Sequence, residues 1–234
     1  LGSILPVADI AEAARRRGAA ILVDAAQTAG VLPIDVEAMG IDMLAFPGHK
    51  SLYGPQGTGG LYVSPRVELE PIVLGGTGSQ SESVRQPTVR PDRYESGTLN
   101  TPGIAGLGAG LDFVLQETAE AIYAKEWDLV QRMMEGLLSI EGVRVLGPEP
   151  GKPRTGIVSF VAEGADSAEI SFVLDQHFGI AVRAGFHCTP LAHETAGTLA
   201  TGAVRASVGA FNSMDQVEYF LESVGKTVKA LRGA

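Results

Sequence analysis

The chain has 234 residues and a mass of 24.4 kDa, is 45% hydrophobic and 19% charged, and so falls in the ordinary globular range, which excludes a disordered or fibrous protein. Its 18 basic and 27 acidic side chains leave a net charge of −9 and a pI near 4.9, which repels a polyanion, so no nucleic-acid partner is expected. The single cysteine, Cys188, excludes an internal disulfide and a multi-thiolate metal site, and makes a reducing cytoplasm the expected compartment.

Taken in chain order, Leu1 to Ile10 lacks the basic segment of a signal peptide, so none is expected. Pro6 to Arg17 predicts a helix, with Val7, Ile10, Ala11 and Ala14 on one face and Gly18 as its stop. Ala19 to Val23 is apolar without alternation, the pattern of a strand covered on both faces of a parallel sheet. It ends before Asp24, and no apolar run approaches the ~18–20 residues a membrane span needs, so no membrane is expected. Further strands are predicted at Met43 to Phe46 and Gly60 to Val63, on either side of Pro47-Gly48 and the glycine-rich Gly54 to Gly59. Leu74 to Asn100 is a long irregular stretch of the kind that carries function or mobility. Helices follow at Ile104 to Gln116 and Glu120 to Ile140, the second with Trp127, Val130, Met134, Leu137 and Leu138 as its stripe. Val143 to Leu146, Gly156 to Val161 and Gly179 to Arg183 read as strands, with helices at Ala168 to Phe178 and Met214 to Leu231. The class is α/β, expected as two domains, residues 1–141 and a smaller α+β domain over 142–234.

Asp24 ends a strand, and in open α/β sheets ligands are held at the carboxyl ends of strands. A carboxylate there either meets a cationic partner or caps a short helix at Ala25 to Ala29. Lys50 follows a strand through Pro47-Gly48-His49, where a desolvated amine can form a Schiff base and a solvated one is merely a loop residue. Gly48-His49-Lys50-Ser51 is not a phosphate-binding P-loop, because that motif needs Gly directly before the Lys.

Together, Val23-Asp24-Ala25-Ala26-Gln27, then Phe46-Pro47-Gly48-His49-Lys50, then Tyr53-Gly54-Pro55-Gln56-Gly57-Thr58-Gly59-Gly60 resemble the pyridoxal-phosphate site of the class V aminotransferase and cysteine desulfurase family. The resemblance implies that Lys50 forms the imine, Asp24 partners the pyridinium nitrogen, Gln27 donates to the ring oxygen and His49 contacts the phosphate. Tyr94 to Thr101 resembles the family's E-x-G-T-x-N-T segment, which implies a homodimer in which Gly97 and Thr98 reach the phosphate of the neighbouring subunit's cofactor, with Gly75-Gly76 also facing that site. Arg183-Ala184-Gly185-Phe186-His187-Cys188 resembles the R-x-G-x-H-C signature of the group II desulfurases, placing Cys188 at the nucleophile position. The resemblance implies that Arg183 and Arg205 bind the substrate, Arg205 by clamping its carboxylate. Pro47 stands where many members have a phosphate-binding Ser or Thr, and Thr189 to Glu194 departs from the best-known desulfurases.

The resemblance implies fold type I, with residues 1–141 as the later part of the large cofactor domain and 142–234 as the small domain. It covers only the later part of the family's length, so an upstream segment carrying a phosphate loop and a ring-stacking residue is expected. The implied function is a pyridoxal-phosphate-dependent desulfurase that converts L-cysteine to L-alanine, leaves a persulfide on Cys188 and passes its sulfur to an acceptor protein. The alternatives are another class V enzyme, such as a selenocysteine lyase or transaminase, and a truncated noncatalytic fragment.

Overall fold

The computed structural model describes residues 1–233, which divide into two compact units, Pro6–Ala119 and Leu1–Leu5 with Glu120–Gly233. This division does not coincide with the boundary expected at 141/142. The helix over residues 119–139 carries Leu129, Val130, Met133, Met134 and Leu137 into the core of the second unit, so it belongs there. The first residues join the same unit because Arg154, only 1% exposed, donates to the Leu1 carbonyl at 2.7 Å, and Thr155 N–H donates to the Gly2 carbonyl at 2.9 Å.

In the Pro6–Ala119 unit, helix α1 (Val7–Arg16) leads to strands β1 (Leu22–Asp24), β2 (Met43–Pro47) and β3 (Gly59–Val63). The sheet order is β1-β2-β3, with β1 and β2 parallel and β3 antiparallel. Val23, Leu44 and Tyr62 are register partners and share the face that packs with Ile41, Ala25 and Phe46. The expectation of cover on both faces is not met among the described residues: Leu22 and Leu61, on the other face, are 55% and 53% exposed. Nor is the sheet wholly parallel, because the turn through the glycine-rich loop returns β3 alongside β2 in reverse. Residues 26–30 form turns, not the short helix expected at Ala25 to Ala29. Residues 74–100 are irregular apart from a 3-10 turn at Asp92–Tyr94, and α2 (Thr101–Glu117) follows, capped by the Asn100 side chain accepting from Gly103 N–H at 3.1 Å.

The second unit is built on a fully antiparallel sheet of order β4-β5-β7-β6, from β4 (Val143–Leu146), β5 (Ile157–Ala162), β6 (Arg183–Gly185) and β7 (Ala203–Ser207). Strand β6 begins where the strand expected over 179–183 was to end. Gly179 is instead the left-handed cap of α4 (Ser167–Phe178), with φ 64°, and its N–H closes that helix on the Asp175 carbonyl. Val158 and Phe160 of β5 and Val204 and Ala206 of β7 point to one face, where they bury against α3 (Ala119–Ser139), α4 and α6 (Met214–Arg232). Phe160 meets Phe220 edge to face at 6.3 Å between ring centroids, and a Cβ on Gly136 of α3 would lie 2.3 Å from the Leu221 side chain of α6, so any larger residue there forces that side chain to move. The Trp127 and Leu138 ends of the expected α3 stripe are half-buried and 49% exposed.

Candidate active site

The first cluster lies beyond the carboxyl ends of β1 and β2. Asp24 pairs in register with Ala45, and the ladder runs one step further through Ala25 N–H to the Ala45 carbonyl at 2.8 Å. Asp24 Oδ1 accepts the Ala26 N–H at 2.9 Å, so this carboxylate does cap the following turn, while its exposure leaves it open to a ligand as well. Gln27 is exposed two residues on.

After β2, a tight loop fixes His49 and Lys50. Gly48 N–H donates to the Thr58 carbonyl and Gly54 N–H to the Gly48 carbonyl, both at 2.8 Å, and Leu52 is buried. Helix α2 backs the loop so closely that a Cβ on Gly110 would lie 2.1 Å from the Leu52 carbonyl oxygen. With the loop's apolar residue turned in, His49 and Lys50 stand exposed. The side chains of Gln27, His49 and Lys50 have no hydrogen-bond partner among the described residues. A carboxylate, an amide, an imidazole and a free primary amine at the ends of adjacent parallel strands are a set of polar groups that fits pyridoxal phosphate.

Two further segments expected at the site meet in the same unit. Gly97 N–H donates to the Gly76 carbonyl at 2.7 Å, and Gly97 holds φ 90°, a conformation suited to glycine. Arg90 and Arg93 lie over the Tyr94 ring at 5.8 and 5.7 Å, and both pair with Glu68, which braces the approach to Gly97 and Thr98. Thr98 is exposed.

The second cluster belongs to the other unit. Ser159, Arg205 and Arg183 are consecutive register partners across β5, β7 and β6, so both guanidiniums leave the sheet on the face opposite Val204 and Ala206. Arg205 Nε is buried without a hydrogen-bond partner. Burial, reinforced by the charge of Arg183, lowers its guanidinium below the usual value, with Cys188 opposing the shift. Arg183 Nη2 donates to Cys188 Sγ at 3.3 Å.

Cys188 is exposed and sits in a strained turn, since His187 and Cys188 hold φ values of 52° and 61°. Left-handed backbone costs a residue with a side chain roughly 1–2 kcal/mol, so two in succession must be held by their surroundings. His187 Nε2 lies 2.9 Å from the Arg183 carbonyl, which only accepts, so this nitrogen carries the proton. Burial lowers His187 below the usual imidazole value, opposed by its hydrogen bond to the Arg183 carbonyl and reinforced by the Arg205, His193 and Arg183 charges. The sequence reading missed His193 and Thr198, both buried; a polar ring in a six-residue helix with no apolar stripe offers no periodicity to find it by.

Residues 1–220 match the Aminotransferase class-V family. The chain belongs to that family. Among relatives in the class V family, a probable cysteine desulfurase of Methanothermobacter thermautotrophicus is 36% identical over 246 residues, covering 100% of this chain and 58% of the relative. One from Pseudomonas putida is 38% identical over 237 residues, covering 99% and 57%. The apo structure of a cysteine desulfurase from Thermococcus onnurineus NA1 superposes with a TM-score of 0.92 at 37% identity, covering 98% of this chain and 57% of that one. The cysteine desulfurase CsdA from Escherichia coli, solved as its S-sulfonic acid form, gives 0.89 at 27% identity over 98% and 56%. The α/β fold is thus that of part of a class V, fold type I enzyme, and the chain spans a little over half the length of the relatives it matches.

Proposed function

We propose that the protein is a pyridoxal-phosphate-dependent cysteine desulfurase, converting L-cysteine to L-alanine. The observation that carries this reading is the second cluster, where the only cysteine of the chain accepts a hydrogen bond from Arg183 at 3.3 Å beside a half-buried Arg205 whose Nε has no partner. Two guanidiniums on one face suit an amino-acid carboxylate, because the planar fork holds it by two bonds. A transaminase has no use for a nucleophilic thiol there.

Asp24, Gln27 and Lys50 would hold the ring side of the cofactor, His49 would contact its phosphate, and Gly97 and Thr98 would reach the phosphate in a neighbouring subunit. Bound there, pyridoxal phosphate supplies a sink for the electron pair left at the substrate's Cα. The Lys50 amine takes the proton from that carbon and later returns one. Arg205, with Arg183, holds the carboxylate and thereby orients the substrate sulfur toward Cys188. Cys188 Sγ, as thiolate, attacks that sulfur: an S–S bond forms, the C–S bond breaks, and its electron pair stays with the carbon, which takes up a proton. L-alanine leaves, and the persulfide on Cys188 is passed to an acceptor protein.

The homodimer is supported by exposed Ile72, Val73 and Leu74, 98%, 65% and 65% accessible, in the same unit as Gly97. A single exposed thiol suits a reducing cytoplasm. No helix among the described residues is long and apolar enough to cross a membrane.

The decisive experiment follows alanine release from L-cysteine with added pyridoxal phosphate. Wild type should release alanine, and Cys188→Ser should release at least about 100-fold less while still binding cysteine, since the hydroxyl is a far poorer nucleophile toward sulfur. Turnover of Cys188→Ser at the wild-type rate would replace this reading with a lyase or transaminase. A wild-type protein that binds the cofactor but releases no product would make it a noncatalytic fragment.

A further inference from the structure

Between β6 and β7 the chain runs from Phe186 to Gly202 with one short helix, α5 (Pro190–Thr195), and nearly every side chain on it is exposed or half-buried. The exceptions are His193, 3% exposed, and Thr198, 2% exposed. These two bind each other. His193 Nδ1 lies 2.8 Å from Thr198 Oγ1, and Thr198 N–H donates to the His193 carbonyl at 2.8 Å. Two rings rest on the imidazole: Phe186 edge-on at 5.5 Å between centroids and His187 tilted at 5.4 Å. Those are the two residues before Cys188, and Thr189, just after it, closes the turn by donating its N–H to the Phe186 carbonyl at 2.9 Å.

We propose that His193 is a positioning residue for Cys188: fixed by Thr198, its ring is the floor on which Phe186 and His187 sit, and this holds the left-handed turn that keeps the sulfur beside Arg183. The proposal rests on the desulfurase reading for its consequence, since the held sulfur is the one that attacks. It acts at the transfer step. Arg205 is fixed by the β5–β7–β6 register instead, so substrate capture does not depend on the loop floor. The geometry also separates polar anchoring from ring packing, because asparagine can present a hydrogen-bonding group near the place of Nδ1 without an aromatic face.

The test compares wild type, His193→Ala, His193→Asn and Thr198→Val as full chains with pyridoxal phosphate, reading kcat and KM for L-cysteine alongside amide exchange over residues 186–198. His193→Ala should lower kcat at least about 10-fold with KM unchanged within about twofold. Exchange across 186–198 should rise at least about 10-fold while that of β5 and α6 stays at the wild-type value. His193→Asn should recover part of both losses, and Thr198→Val should reproduce a milder form of each. An unchanged kcat in His193→Ala, or exchange confined to its wild-type rate, overturns the proposal; so does a loss expressed in KM alone. Should His193→Ala fail to fold, Thr198→Val, which swaps one hydroxyl for a methyl group, carries the same two readouts and decides. A wild-type protein without desulfurase activity would overturn the functional reading instead, and the exchange arm would still decide whether His193 holds the turn.

Discussion

Lys50 shows what one residue inherits from its neighbours. Its amine is exposed because Leu52 is turned inward and Gly48 and Gly54 close the loop behind it, and no carboxylate among the described residues pairs with it. Borohydride reduction of the cofactor-loaded protein should therefore fix pyridoxal phosphate on Lys50, as read by peptide mass spectrometry; label on another lysine would refute the assignment. Glu126 belongs to the same scale but to stability. It is 3% exposed on α3, and burial pushes its carboxyl up to about 7 from the ordinary 4.5. The folded unit thus keeps a proton that the unfolded chain has lost, so stability falls as pH rises from about 4.5 to about 7 and levels off above. Glu126→Gln should remove that slope and raise stability at pH 8 by on the order of 2 kcal/mol, measured by urea unfolding across the pH range.

At the scale of elements, the sites depend on close approaches that side chains would prevent. Gly110 is the sharpest case, since a Cβ there would meet the Leu52 carbonyl at 2.1 Å, the Tyr53 carbonyl carbon at 2.9 Å and Gly54 N at 3.1 Å, all backbone. Gly110→Ala should push α2 away from the Lys50 loop at a cost of about 1–3 kcal/mol, lowering both thermal stability and cofactor occupancy. Circular dichroism melting and visible absorption check the two arms, and a variant with wild-type values in both would show that the loop gives way freely. Helix α6 has the opposite character, a unit whose start is fixed by its own residues, the Ser213–Gln216 capping box.

For the whole molecule, the exposed apolar residues 72–74 argue for association. If the proposed dimer forms, the protein should sediment as a dimer, and Ile72→Asp with Val73→Asp should shift it to a monomer while also weakening cofactor binding, as the proposed reach of Gly97 and Thr98 to the neighbouring site requires. Sedimentation velocity with a cofactor titration distinguishes this from a dimer held elsewhere.

Much of this was legible in the chain itself. The amphipathic stripe of α3, the helix span of α6, the strand at Val143–Leu146 and the spacing of Asp24, Gln27, His49 and Lys50 are local patterns, and local patterns survive without a tertiary context. Strand direction did not. The apolar runs at β1 and β3 look alike, yet β3 runs antiparallel, because direction is decided by how the intervening loop returns the chain. Asp24 could be read as a cap or as a ligand, and only its exposure and the Ala26 N–H show a carboxylate that caps while remaining open. The pairing of Arg183 with Arg205, residues far apart in sequence, is a matter of register; so is the buried Nε that leaves Arg205 short of a partner. His193 was invisible for the same reason, since its partners Thr198, Phe186 and His187 share no period with it and are brought around it only by the turn that it underlies.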